Sequence, residues 1–238
     1  MYNFRYYAIG HSYLKHGPFV GWQTDGFWGM AASAPEKDYF HKFQDELKAA
    51  FDCKIEAIAE NQAAFEGLCT EDATEEKYVS SPLYSHMREL IEGFKPNIIT
   101  VYIGGGNTPA KDGASLTLFY DVLYGLIASC KRPETVVICP ALKPNIYGIA
   151  KPVADKYGFI TVDMSFIHEK KGSKIRTTLS ANIPNTMSFV QRELWNSAHT
   201  PTIRGTPPSP RLSCAVRNRR SQKFPRVNSA RSISTINI

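Results

Sequence analysis

The chain has 238 residues, of which 43% are hydrophobic and 12% aromatic, and this is enough apolar material for one globular domain. The first residues enter an apolar run without a charged segment and a long hydrophobic core, which argues against a secretory signal. We predict no membrane-spanning segment and a cytoplasmic location. Five cysteines form neither a CxxC pair nor an even set, so we predict reduced thiols and no metal site. No cofactor is expected.

The formal net charge of +6 is distributed unevenly along the chain. Residues 173–238 carry eleven Lys and Arg against one acid, Glu193, so the other 172 residues are net negative. The basic part is also rich in Pro, Ser and Asn, and this composition buries too little apolar area to offset chain entropy. We therefore predict a domain over 1–172 and a disordered tail over 173–238. Its arginines have almost no interleaved aromatics, so no specific nucleic-acid partner is predicted.

In chain order, apolar runs alternate with amphipathic stretches, and this alternation indicates an α/β fold. Strands are predicted at 4–9, 55–59, 98–103, 135–139 and 159–162, and helices at 37–51, 81–94, 115–130 and 146–157. Ser33-Ala34-Pro35-Glu36 resembles a capping box that opens the first helix. Right-handed crossovers then give a five-stranded parallel sheet with helices on both faces.

Polar turn residues follow the first three predicted strands, and in a parallel sheet these positions meet at one edge. Ser12 follows the first strand, Asn61 the second, and Gly104-Gly105-Gly106-Asn107 the third. Ser12 is either a nucleophile exposed by a strand-to-helix turn or an ordinary turn serine. Asn61 is equally a substrate contact or a turn residue. The three glycines suggest a phosphate cradle only weakly, because the chain has no Walker lysine and no GxGxxG pattern.

These residues carry a resemblance to a known family. Gly10-His11-Ser12 and Gly105-Gly106-Asn107 resemble the first and third blocks of the SGNH (GDSL-like) hydrolases, and the run Trp28-Gly29-Met30-Ala31-Ala32-Ser33 is similar to a bacterial branch. The likeness extends over about residues 4–170. It implies a three-layer α/β/α flavodoxin-like fold and hydrolysis of esters.

By that resemblance Ser12 is the nucleophile, and its N–H and the Asn107 amide are the oxyanion donors. Gly105 and Asn61 would lie against the substrate. His11 stands where family members often have Asp, and the glycine of the second block is not evident.

The family's catalytic histidine, usually preceded by Asp at the third position before it, is expected after the fifth strand. Only Asp38 and His41 have this spacing, and we reject them as a dyad because they lie in the first long helix. His168 and His199 are the remaining candidates for the base. His168 fits a solvated loop residue better, and His199 has Asn196 in place of the aspartate.

The abrupt change of composition suggests that the chain from about residue 173 is translated in a shifted reading frame. With permissible codons for Lys174 to Arg211, the shifted frame reads through an HPND run whose histidine codon overlaps His199 and Thr200. It continues into an Ala- and Ile-rich stretch of good helix propensity. On this hypothesis the catalytic histidine and the last helix are lost, so we predict weak or absent ester hydrolysis.

The substrate is predicted to be a small-molecule ester, with acylated carbohydrates among the candidates. Trp22, Phe27, Trp28 and Tyr39 are either walls of an acyl or sugar pocket or ordinary core residues. The alternative function is an inactive small-ligand-binding or scaffold module. The sequence does not fix the oligomeric state.

Overall fold

A computed structural model describes residues 3–18, 27–30, 32–51, 53–141 and 143–164. The predicted boundary between 172 and 173, the basic tail, His168 and His199 lie outside these residues. All five predicted strands and all four predicted helices fall within them.

The described residues form an α/β fold around one five-stranded sheet, as the sequence predicts. The strands are β1 (Asn3–Gly10), β2 (Lys54–Asn61), β3 (Ile98–Tyr102), β4 (Val136–Ala141) and β5 (Ile160–Asp163). Every pair is parallel, and the order across the sheet is β2-β1-β3-β4-β5. This is the strand order of flavodoxin-like folds, and its switch point lies between β1 and β3.

Among the described residues, six helices lie in the connections between the strands. They are α1 (Tyr39–Phe51), α2 (Ala63–Glu66), α3 (Glu75–Val79), α4 (Pro82–Phe94), α5 (Gly113–Cys130) and α6 (Pro144–Lys156). The short helices α2 and α3 were not predicted, because four or five residues are too few to display a helical period. A single 3-10 turn, Pro35–Lys37, precedes α1.

Two hydrophobic clusters cover the two faces of the sheet. Alternate residues of a strand point to opposite faces, so Tyr7 and Ile9 of β1 belong to one cluster, and Tyr6 and Ala8 to the other. Buried residues of α4, α5 and α6 complete the first cluster, and those of α1 complete the second. Helices therefore lie on both faces, and the sheet is the centre of the core.

Helix α5 is long and apolar enough to cross a membrane by length and composition alone, with a mean hydropathy of 1.3 over 18 residues. Half of it is buried inside the fold, where Phe119, Leu123 and Ile127 are fully covered. This packing is that of a core helix.

The predicted capping box at residues 33–36 is wrong. Ala34 caps the 3-10 turn without a side-chain hydrogen bond, and the Ser33 hydroxyl accepts from Lys37 Nζ at 3.2 Å. The cap of α1 is instead Asp38, whose Oδ1 accepts from the His41 backbone N–H at 2.8 Å. A helix that opens at Tyr39 requires its cap at position 38, so the predicted start was two residues too early.

Candidate functional site

Ser12 lies in a tight turn at the carboxyl end of β1. The turn is closed by the carbonyl of His11, which accepts from the backbone N–H groups of Leu14 at 2.8 Å and Lys15 at 3.3 Å. Gly10 permits this turn, because a Cβ at that position would lie 2.8 Å from Leu14 Cβ and 3.1 Å from the Tyr102 carbonyl oxygen. Ser12 is half-buried.

The segment 28–30 packs directly on this turn. Met30 N donates to the Ser12 carbonyl at 2.9 Å, and His16 N donates to the Trp28 carbonyl at 2.9 Å. Gly29 lies so close to the Tyr13 backbone that any side chain would overlap it. The Gly-Met pair that resembles the bacterial family branch therefore has a packing role here, because it supports the turn that carries Ser12.

The Asp-x-x-His spacing has a structural explanation. Asp38 is buried, and its Oδ1 accepts from both the backbone N–H and Nδ1 of His41, each at 2.8 Å. Its Oδ2 accepts from Gly29 N at 3.2 Å. Asp38 thus caps α1 and ties it to the segment beside Ser12.

Asn61 ends β2 at the same edge of the sheet as Ser12. Its Oδ1 accepts from Ala63 N at 3.0 Å, and its Nδ2 donates to the Lys15 carbonyl at 2.7 Å. Both polar ends of the side chain thus hold the start of α2 and the end of the Ser12 turn. The sequence allows two roles for Asn61, a turn residue or a substrate contact. The two hydrogen bonds are those of a turn residue.

The loop after β3 turns sharply through two glycines with positive φ, Gly104 at 109° and Gly105 at 74°. Gly105 lies against Ile146 of α6, since a Cβ would meet Ile146 Cδ1 at 2.6 Å. Its carbonyl oxygen accepts from Lys143 Nζ at 2.8 Å. This geometry favours glycine at both positions and brings the loop to the carboxyl ends of β1 and β3.

Asn107 ends this loop beside a buried carboxylate. Glu66 is fully buried, and its Oε1 accepts from the N–H groups of Gly106 and Asn107, both at 2.8 Å. Its Oε2 accepts from Asn107 Nδ2 at 3.1 Å. The amide predicted to donate to an oxyanion is therefore held by a carboxylate of the same chain.

A cavity of about 160 Å³ opens between the Ser12 turn and the glycine loop. It is lined by His11, Tyr13, Tyr102, Ile103, Gly104, Gly106, Pro140, Ala141, Lys143 and Ile146. Ser12 and Asn107 do not line the cavity, although residues next to them in the sequence do. The cavity lies where ligands bind in open parallel sheets, beyond the carboxyl ends of the strands at the switch point.

The aromatic side chains that line the cavity are Tyr13 and Tyr102, and neither is among the four candidates that the sequence offers for a pocket wall. The His11 ring packs 5.2 Å from the rings of both Tyr13 and Tyr102. Tyr39 packs edge-on against Tyr102 at 5.8 Å, and Phe27 is exposed. Trp22 lies outside the described residues, and Trp28 supports the Ser12 turn.

Burial dominates the electrostatics of the cavity. It lowers the pKa of His11, an effect that Glu66 opposes and Lys143 reinforces. Burial also raises the pKa of Tyr102 well above its ordinary value. The imidazole and the phenol are thus both neutral near pH 7. The Tyr102 hydroxyl is itself buried, so it is the ring that faces the cavity.

Three residues of this edge, Glu66, Tyr102 and Lys143, were not singled out in the sequence. Glu66 lies in an acidic stretch, and its partners are 40 and 41 residues away, so no local pattern indicates its burial. Tyr102 and Lys143 follow from the fold instead, since each lies at or just after the carboxyl end of a strand.

Within the described ranges, no group of three or more His, Cys, Asp or Glu side chains is placed to hold a metal ion. Comparison of the chain with protein families, with curated proteins and with solved structures finds no match.

Proposed function

We propose that this chain is a serine ester hydrolase of the SGNH type, with Ser12 as its nucleophile. The observation that carries the proposal is the position of Ser12, in a tight turn at the carboxyl end of β1 and beside the switch point of the sheet. Such a turn presents a serine hydroxyl to a ligand at the sheet edge. The family resemblance of the sequence supplies the chemistry.

In this proposal the Ser12 N–H and the Asn107 amide stabilise the oxyanion, and Gly105 and Asn61 border the substrate. An amide nitrogen carries two N–H groups, and Glu66 takes one of those on Asn107. The second is then the donor to the oxyanion. The finer architecture, a three-layer SGNH fold, and a cytoplasmic location belong to the same proposal, as does action without metal or cofactor.

The substrate we propose is a small-molecule ester, an acylated carbohydrate among the candidates. The cavity supports this choice by its size, since about 160 Å³ accommodates a short acyl group, and by the Tyr13 and Tyr102 rings. Neither a membrane nor a specific nucleic acid is a proposed partner.

The proposed site also requires a general base for the Ser12 hydroxyl. The candidates His168 and His199 lie outside the described residues. On the reading-frame hypothesis His199 belongs to the out-of-frame segment, and the histidine expected from the family resemblance is lost. We therefore expect slow turnover, because a serine hydroxyl without a positioned base loses most of its reactivity.

The direct test uses an activated short-chain ester and a fluorophosphonate label on the full chain. Ser12→Ala is expected to abolish labelling and turnover. Ser129→Ala is the matched control, because Ser129 lies at the end of α5 and donates to the Leu126 carbonyl, away from the cavity. The same label on a chain with the frame restored after residue 173 is expected to react faster. Turnover that persists in Ser12→Ala would overturn the proposal.

The second candidate, an inactive ligand-binding module, is favoured by one observation. Glu66 already engages three donors of the loop that would otherwise face a substrate. If it is correct, peracetylated glucose shifts the backbone amide resonances of Gly104 and Gly106 and is recovered intact, and Ser12→Ala changes neither result.

A further inference from the structure

Glu66 is the most deeply buried carboxylate of the candidate site. None of its surface is exposed, and it sits at the end of α2, a helix of only four residues. A carboxylate in such a position is costly unless hydrogen bonds replace the water that it has lost. The replacement comes from one loop, which supplies two backbone N–H groups and one side-chain N–H.

The loop is shaped to receive an anion. Consecutive backbone N–H groups that point into one concavity form a nest for negative charge, and Gly106 and Asn107 provide such a pair. The positive φ angles of Gly104 and Gly105 make the turn that precedes it. The nest is filled by the protein's own carboxylate, so α2 and the loop after β3 are fixed to each other.

The third hydrogen bond determines the orientation of the Asn107 amide. An ionised carboxylate only accepts hydrogen bonds, so the amide nitrogen, not the amide oxygen, must face Glu66 Oε2. A flipped amide would place two acceptors against each other. The plane of the amide is thereby fixed, and with it the direction of its second N–H.

We propose that Glu66 is a positioning residue, which holds Asn107 as an oxyanion donor by fixing the orientation of its amide. This role rests on the proposed function. Glu66 does not itself touch the reacting atoms. It acts through Asn107, and it is the reason that a flexible asparagine side chain presents an N–H rather than a carbonyl.

The substitution Glu66→Gln tests this role sharply. Glutamine keeps the size of the side chain, and its carbonyl oxygen replaces Oε1 as the acceptor for the two loop N–H groups. Its NH2 group then faces Asn107 and requires an acceptor, so the Asn107 amide flips and presents its oxygen to the substrate. We expect the fluorophosphonate labelling rate of the full chain, and kcat of the chain with the frame restored after residue 173, each to fall about 100-fold while KM changes little, as for loss of one oxyanion donor.

A double-mutant cycle separates positioning from mere structural support. Asn107→Ala removes the donor outright, so adding Glu66→Gln to it is expected to cause no further loss. Glu60→Gln is the matched control, because Glu60 is also a hydrogen-bonded glutamate but contacts Tyr7, Gln62 and His86. It should retain full activity.

Two further measurements keep the test decisive. The side-chain amide resonances of Asn107 should move in Glu66→Gln while most backbone resonances stay in place. If Glu66→Gln does not fold, Glu66→Asp is tested in its place, because aspartate retains a carboxylate that only accepts hydrogen bonds. Any loss of rate that Glu66→Asp causes should likewise be absent when Asn107 is already alanine.

Additive losses, or a Glu66→Gln variant with wild-type rates, would overturn the role of Glu66 alone, provided that Ser12→Ala is inactive. Turnover that survives Ser12→Ala would instead overturn the proposed function, and the role of Glu66 with it.

Discussion

The α-carbon of Gly104 lies directly against the hydroxyl group of Tyr120. A Cβ built on Gly104 would lie 2.6 Å from Tyr120 Cζ and closer still to the hydroxyl oxygen, which donates to the Ile103 carbonyl at 3.0 Å. Tyr120 is buried in α5, so it cannot move aside without disturbing the core. The contact fixes the start of the glycine loop.

Gly104→Ala is therefore expected to destabilise the protein by at least about 2 kcal/mol, because it adds both a steric overlap and a strained φ of 109°. Urea unfolding measures the effect. Gly148→Ala is the matched control, since a Cβ there meets nothing within 4 Å and alanine favours α6. We expect it to leave the protein as stable or to stabilise it by up to about 1 kcal/mol. Equal stability of the two variants would contradict the described loop.

Asn61→Ala is expected to lower the free energy of unfolding by about 1 kcal/mol, since it removes the contacts to Ala63 N and the Lys15 carbonyl. Asn61→Asp retains the acceptor for Ala63 and should lose less. Urea unfolding and KM are measured together. A rise in KM without a change in kcat would indicate that Asn61 also contacts the substrate. An unchanged free energy of unfolding in Asn61→Ala would contradict its role in the turn.

The depressed pKa of His11 predicts a pH dependence of stability. Its ordinary value is about 6.5, so below that pH the unfolded chain takes up a proton that the folded protein resists. The stability that neutral His11 contributes is fully present above the pKa of His11 in the unfolded chain, and it is lost as the pH falls below that pKa.

We therefore expect the wild type to lose more stability than His11→Gln on acidification from about pH 7.5 to 5.5, as measured by urea unfolding. The difference between the two proteins isolates His11 from the titrating carboxylates that both contain. Two results would contradict the burial of this imidazole. The difference in free energy of unfolding between the two proteins could be independent of pH, or the wild type could become the more stable of the two relative to His11→Gln on acidification.

The sequence predicts the sheet well because each strand contains a short, mostly apolar segment between turn residues, and the central strand β3 is apolar enough to be buried at every position. Their order in the sheet, with β1 between β2 and β3, brings Ser12, Asn61 and Asn107 to one edge, as their positions after the strands suggest. The role of each of these residues remains a prediction.

Other features depended on contacts that local patterns do not encode. Asp38 caps α1 because the helix begins after a 3-10 turn, while the sequence offered a cap-like pattern at Ser33. Glu66 looked like one more acid in a polar stretch, since nothing within its own helix shows that a loop 40 residues later supplies its hydrogen-bond donors.

The burial of Glu66 also bears on how the proposed hydrolase would release its product. A carboxylate covalently attached to the chain is present at the nest at a high effective concentration that dilution does not change. The acid released from an ester is itself a carboxylate, and it would have to displace this tethered one to occupy the same donors. Glu66 would thus keep the product acid away from the three donors that it occupies itself.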